Sequence, residues 1–248
     1  MLSISRLSQT LAALVLGLFT ITVPSLCSAR EVGRLPRVAS LLAEQAPVRI
    51  IAFGSSSTEG VGASSPAKAY PSRLEGEMSA LFPGIKIEVL NRGIGGEDAD
   101  DMSRRLAVIL AEKPDLVIWQ TGSNDPLRDV PLDRFVDETR AGIATMQAAG
   151  IDVMLMEPQY CQKLASKPGS GQFRDALRSL GAEMRVPVIR RYDLMMGWVE
   201  HGLVTLAKML SVDGMHMADA GYKLLAKDVA HQIVVLTKDS AGFGTAQR

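Results

Sequence analysis

Residues 48–60 read Val-Arg-Ile-Ile-Ala-Phe-Gly-Ser-Ser-Ser-Thr-Glu-Gly. The first six residues are a short, nearly continuous apolar run that stops at Gly54, where the chain turns small and hydroxyl-rich. A run of this length without strict alternation suits a strand covered on both faces. Working outward, four further runs share that character: 85–90, 116–120, 153–156 and 186–189. Helical patterns lie between them, at 97–112, 132–149, 173–184 and 218–236. The first opens on acidic residues, as a helix N-terminus favours. In the second, Leu132, Phe135, Val136, Ile143 and Met146 share a stripe; in the last, Leu225, Val229, Ile233 and Leu236 share a face. Strands alternating with helices predict βαβ crossovers and a parallel sheet. Residues 166–171 read as a flexible loop and 240–248 as a frayed tail.

Composition narrows the function classes. The chain has 248 residues, 47% hydrophobic and 22% charged, which excludes a disordered chain and a polytopic membrane protein. Lys+Arg and Asp+Glu are both 27, so there is no basic excess to hold nucleic acid. Two cysteines make no disulfide framework, and no Cys/His spacing suits zinc. Only His201, His216 and His231 are available to a mechanism that uses histidine.

Residues 1–29 have the layout of a secretory signal peptide: Arg6, an apolar run over 11–23, Pro24, then Cys27-Ser28-Ala29. The run is too short for a comfortable membrane span. Cleavage after Ala29 leaves a domain over 30–238, a flexible tail over 239–248 and Cys161 unpaired. Lipidation at Cys27 is the weaker reading because Leu26 is large for that site, and an uncleaved anchor is the other alternative.

In open α/β sheets, ligands bind beyond the carboxyl ends of the strands. Four segments fall in such places. Residues 53–60 put serines on a strand-to-helix turn, which suits an elevated nucleophile or, equally, a Ser-rich cap or anion nest. Residues 91–97, Asn-Arg-Gly-Ile-Gly-Gly-Glu, let backbone N–H groups approach a ligand, or make a plain glycine turn. Residues 121–126 offer the Asn124 amide as a donor, or turn chemistry with Asp125 capping a helix that starts at Pro126. In 213–216, Asp213 can fold back on His216, fix its tautomer and leave the other ring nitrogen free as a base; the alternative is an Asp-Gly turn.

Taken together, in this order, the four segments resemble the blocks of the SGNH (GDSL-type) hydrolase superfamily, whose members include secreted esterases, lipases, thioesterases and carbohydrate acetylesterases. The likeness spans about 48–236. Residues 53–60 resemble F-G-D-S-x-T-x-G, 91–96 resemble N-x-G-x-x-G, 122–125 resemble G-x-N-D, and 213–216 resemble D-x-x-H. The wording around 118–128 and the leader look nearest to periplasmic thioesterase/lysophospholipase-like members. The resemblance implies a flavodoxin-like, three-layer α/β/α sandwich with a central parallel sheet of about five strands. It implies Ser56 as nucleophile, Asp213 and His216 completing the triad, and an oxyanion hole from Ser56, Gly96 and Asn124. It further implies a small-molecule, lipid or carbohydrate ester as substrate, no cofactor and no metal. The family's Asp before the nucleophile is Ser55 here, and the next residue is Ser57, so three serines adjoin and alignment with Gly54 and Thr58 selects Ser56.

The rival within enzymes is an O-acetyl esterase of polysaccharide; the rival outside them is a non-catalytic binding protein on the same fold. His201 and His231 suit structural positions. Cys161 reads as a partly buried structural thiol rather than a residue of the substrate mouth, and Met154, Met156, Met195 and Met196 as core filler.

Overall fold

The computed structural model describes residues 33–241; the leader over 1–29, its cleavage site and the last seven residues lie outside the described residues. Five strands, β1 (Val48–Gly54), β2 (Ile87–Gly93), β3 (Leu116–Gln120), β4 (Asp152–Met156) and β5 (Val188–Ile189), form one sheet in the order β2-β1-β3-β4-β5. All four pairings are parallel, with Gly54 level with Gly93 and Gln120 level with Met156. This is the flavodoxin-like order, and its switch point lies between β1 and β3.

The helices are α1 (Pro36–Ala43), α2 (Ser56–Glu59), α3 (Tyr70–Leu81), α4 (Ala99–Arg104), α5 (Leu106–Ala111), α6 (Leu132–Ala148), α7 (Gln162–Ala165), α8 (Ser170–Met184), α9 (Arg191–Glu200), α10 (Leu206–Met209) and α11 (Asp219–Ala241). Along β1, Val48, Ile50 and Ala52 face one core with Leu74, Met78, Trp198, Leu225, Val229 and Ile233. Ile51 and Phe53 face the other, with Met102, Trp119, Phe135, Ile143, Met146 and Leu177. The strict two-residue alternation of a strand thus feeds both helical layers, which is why the sequence shows no polar face.

Several boundaries differ from the sequence reading. β2 starts two residues later and runs to Gly93, and β5 is only Val188–Ile189. The helix expected over 97–112 is two helices broken at Arg105, whose φ of −105° and ψ of 8° leave the helical well. Its start is a capping box: the Asp98 side chain accepts from the Asp101 N–H at 3.0 Å, and Asp101 reaches back to the Asp98 N–H. The loop expected over 166–171 is a short turn, since α8 already begins at Ser170. α11 continues to Ala241, past the expected start of the tail. Met154, Met156 and Met195 are fully buried, but Met196 is 40% exposed and fills no core. Cys161 is fully buried rather than partly so; its sulfur accepts from the Leu164 N–H and burial pushes its thiol up.

Candidate active site

The site is assembled at the carboxyl end of β1, where the chain must turn at once into α2. Gly54 is required there: a Cβ would lie 2.4 Å from Thr58 Oγ1 and 2.8 Å from Gln120 Oε1. Ser55 is extended, and Ser56 opens α2. The turn is clamped from below by the end of β3. Gln120 Oε1 receives the Ser55 N–H at 3.0 Å, the Ser55 and Ser57 hydroxyls at 3.0 Å each, and the Thr58 hydroxyl at 3.2 Å. The backbone N–H can only donate, so the oxygen of the Gln120 amide must face it. Ser55 and Ser57 are therefore buried and bound, 2% and 1% exposed, while Ser56 between them is left partly accessible.

The Ser56 hydroxyl lies 2.8 Å from His216 Nε2, and His216 Nδ1 lies 2.6 Å from Asp213 Oδ2. A carboxylate at Nδ1 places the ring proton there, so Nε2 accepts from Ser56. The other carboxylate oxygen of Asp213 accepts from the Ser211 hydroxyl at 2.6 Å and from the Met215 and His216 N–H groups at 2.9 Å. Partial burial works to raise the Asp213 carboxyl. The hydrogen bonds from Ser211, His216 and the two backbone N–H groups outweigh it and hold the group well below the usual carboxylate range. The loop is seated against the nucleophile segment, since a Cβ at Gly62 would meet His216 Cβ at 3.1 Å.

The loop after β2 borders the same serine. Its Ile94 N–H donates to Gly54 O at 2.9 Å, and a Cβ at Gly95 would lie 3.8 Å from Ser56 Cβ. Gly96 has φ +82°, which a side chain would strain. Neither the Ser56 N–H nor the Gly96 N–H has an acceptor among the described residues. Asn124, 9% exposed, donates through Nδ2 to Glu97 O at 2.8 Å, so it pins this loop and uses one of its two amide hydrogens. Asp125 does not cap the turn at Pro126 as expected. Its Oδ1 accepts from the Ala99 N–H at 3.0 Å, and its Oδ2 has no partner among the described residues. Burial, reinforced by Asp98, raises its carboxyl to about 6 against the pull of the backbone N–H groups of Ala99, Asp125 and Gly122.

His201 and His231 stand apart from this constellation: His201 is exposed and contacts Gly197 O after α9, and His231 is exposed on α11. Among the described residues, no group of three His, Cys, Asp or Glu side chains is arranged to hold a metal ion. The structure brings Ser56, Asp213 and His216 of the sequence reading within hydrogen-bond reach of one another and adds Gln120, which that reading passed over. Its signal was a polar residue closing an otherwise fully apolar strand, Leu-Val-Ile-Trp-Gln.

Residues 22–238 match the model of the non-GDSL lipase-like family. The chain belongs to this family. Its departure from G-D-S-L is visible in Gly54-Ser55-Ser56-Ser57. It is 27% identical over 197 residues to an arylesterase of Vibrio mimicus, covering 77% of this chain and 91% of that one. It is 24% identical over 178 residues to an acetylxylan esterase of Geobacillus stearothermophilus, covering 66% and 80%. In fold it resembles a two-domain esterase active on acetylated mannans, with a TM-score of 0.71, 20% identity and 85% of this chain, which spans only 56% of that protein. The crystal structure of TesA gives a TM-score of 0.64 at 21% identity, covering 76% of this chain and 99% of that one. The chain is a serine hydrolase of ester bonds, on the SGNH fold.

Proposed function

We propose that Ser56 is the nucleophile, His216 the general base and Asp213 the group that orients it. The observation that carries this is the continuous chain Asp213–His216–Ser56 at 2.6 and 2.8 Å. His216 takes the hydroxyl proton as Ser56 Oγ attacks the ester carbonyl, then returns it to the departing alcohol. Asp213, held ionised by four donors, stabilises the imidazolium that forms between these steps. The unpaired N–H groups of Ser56 and Gly96 and the second amide hydrogen of Asn124 receive the oxyanion. Water then attacks the acyl-enzyme by the same route in reverse.

The substrate is a small carboxylic ester, with thioesters and lysophospholipids as the nearest extensions. The arylesterase relative supports an aryl ester as the first substrate to try. A second reading, removal of O-acetyl groups from a polysaccharide, draws on the acetylxylan esterase relative. We place the mature enzyme outside the cytoplasm, in the periplasm or secreted, on the order of charge, apolar run and small residues over 1–29. Among the described residues, no helix is long and apolar enough to cross a membrane.

A fluorophosphonate probe tests the assignment: adduct formation mapped to Ser56 is expected. Labelling at Ser55 or Ser57 moves the nucleophile by one position, and no labelling favours a non-catalytic binding protein. Aryl esters of increasing chain length beside acetylated xylo- and manno-oligosaccharides separate the two substrate readings. Mass spectrometry of the exported chain should find Arg30 at its N-terminus; a retained Met1 or a lipid on Cys27 overturns the placement.

A further inference from the structure

Beneath the nucleophile turn lies a closed ring of buried polar side chains. Arg191, the first residue of α9, is fully buried. Its Nε donates to Glu157 O at 2.8 Å, its Nη1 to Ser57 Oγ at 2.8 Å and its Nη2 to Gln159 Oε1 at 2.9 Å. From Ser57 the ring passes to Gln120 Oε1, from Gln120 Nε2 to Ser123 Oγ at 3.1 Å, and from Ser123 back to Gln159 Oε1 at 3.4 Å. Every donor points away from the guanidinium along both arms. Among the bonds that leave the ring, one reaches the other turn: Gln159 Nε2 donates to Met215 O at 3.3 Å.

The ends of this network decide its meaning. Ser57 directly follows Ser56, and Met215 directly precedes His216. One cation therefore braces the neighbours of both reacting side chains. Its three acceptors are neutral, and the Glu157 carboxylate pairs instead with Arg178. A buried guanidinium without a carboxylate is a poor device for stability alone, and burial lowers its own affinity for the proton to about 10 on the pKa scale.

We propose that Arg191 is a positioning residue of the hydrolase, acting through Ser57 and Gln159 to hold the nucleophile turn and the Asp213–His216 turn in mutual register. The proposal rests on the assignment of Ser56 and His216 made above. A planar fork that donates in three fixed directions can do this, and an ammonium cannot.

Two substitutions test it. Arg191→Lys keeps the charge and loses the fork. Gln159→Glu keeps acceptors for Arg191 and Ser123, removes the N–H that holds the Met215 carbonyl, and adds a carboxylate whose charge the Arg191 guanidinium beside it pairs. Rates are compared on the pH-independent plateau of kcat/KM of each variant. The expectation is a kcat about 10²-fold lower for Arg191→Lys and about 10-fold lower for Gln159→Glu, the scale of a misplaced reacting pair. KM should stay within about twofold, and fluorophosphonate labelling of Ser56 should slow in the same proportion. A folded Gln159→Glu enzyme with unchanged kcat and labelling rate overturns the proposal, whether or not the lysine variant folds. An unfolded Gln159→Glu chain assigns the ring to stability and overturns it equally. Failure of the wild-type enzyme to label at Ser56 is a different result, because it removes the active-site assignment beneath it.

Discussion

The two ends of the sheet solve the same problem with opposite chemistry. Both must satisfy backbone and side-chain groups where strands stop. At the amino end carboxylates do it. Asp115 accepts from the Arg49 N–H at 2.8 Å and from Arg37 Nε at 2.7 Å, and Asp152 accepts from the Val38 N–H at 2.9 Å, so α1 is tied to β1, β3 and β4. At the carboxyl end the corresponding acceptor under the nucleophile turn is the neutral Gln120 amide, with a cation below it. A fixed negative charge directly beneath Ser56 would oppose the oxyanion that forms there; an amide and a guanidinium do not. The difference teaches that negative charge is used freely where the sheet only has to hold, and is kept from directly beneath the serine where a reaction has to develop it.

The sharpest way to break that comparison is at the triad. Ser56→Ala and His216→Ala should each lower kcat by about 10⁴-fold or more, and the double variant should be little worse than either. Melting temperatures should barely move; a comparable loss from an amino-end substitution would erase the distinction. Asn124→Ala should lower kcat by about 10²–10³-fold, roughly 2.7–4 kcal/mol, with a smaller change in KM. If it instead loses thermal stability and keeps its turnover per folded molecule, Asn124 serves only the Glu97 carbonyl.

Asp125 sharpens the contrast through pH. Its folded carboxyl lies near 6, above the unfolded value, so the fold prefers it protonated. Below about pH 3 both states hold the proton and it contributes no penalty. As pH rises toward 6 the unfolded chain ionises first, and stability falls by up to about 3 kcal/mol before levelling. Asp125→Asn should therefore raise the melting temperature above about pH 7 and leave it unchanged near about pH 3, conditions on the order of one unit beyond each titration. Equal effects at both pH values would refute the account. The smallest effect belongs to the amino end: Asp115→Asn should cost about 1 kcal/mol by weakening one of its two bonds, with unchanged kcat.

Much of this was legible in the sequence because it rests on local pattern. Apolar runs gave the strands, and three of the four polar segments fell where strands end, the fourth lying between α10 and α11. Asp213 and His216 meet within one turn, so spacing alone could pair them. What stayed hidden depends on tertiary packing. α3 buries Tyr70, Leu74 and Met78 at four-residue spacing within an otherwise polar stretch, too sparse a stripe to announce a helix. Arg191 was passed over because a charged residue is by default an exposed one. Gln120, Gln159 and Arg191 become a ring only once β3, β4 and α9 are side by side. The break at Arg105 has a tertiary cause too: its guanidinium is drawn to Glu97 and to Arg92 O and lies over the Phe53 ring.

The placement of the two tryptophans has an optical consequence. Trp119, on β3, packs its side chain against one helical layer, its Nε1 donating to Met102 Sδ at 3.1 Å and its ring against Gly142. Trp198 lies in the other layer, its Nε1 donating to Asp228 at 2.8 Å. Each layer thus carries its own chromophore, with no other indole in the chain to blur it. Trp119→Phe and Trp198→Phe variants report the melting of opposite faces of the sheet by fluorescence. Superimposable denaturation curves mean that the layers come apart as one cooperative unit; separated midpoints would reveal which layer can loosen while the other still holds the sheet.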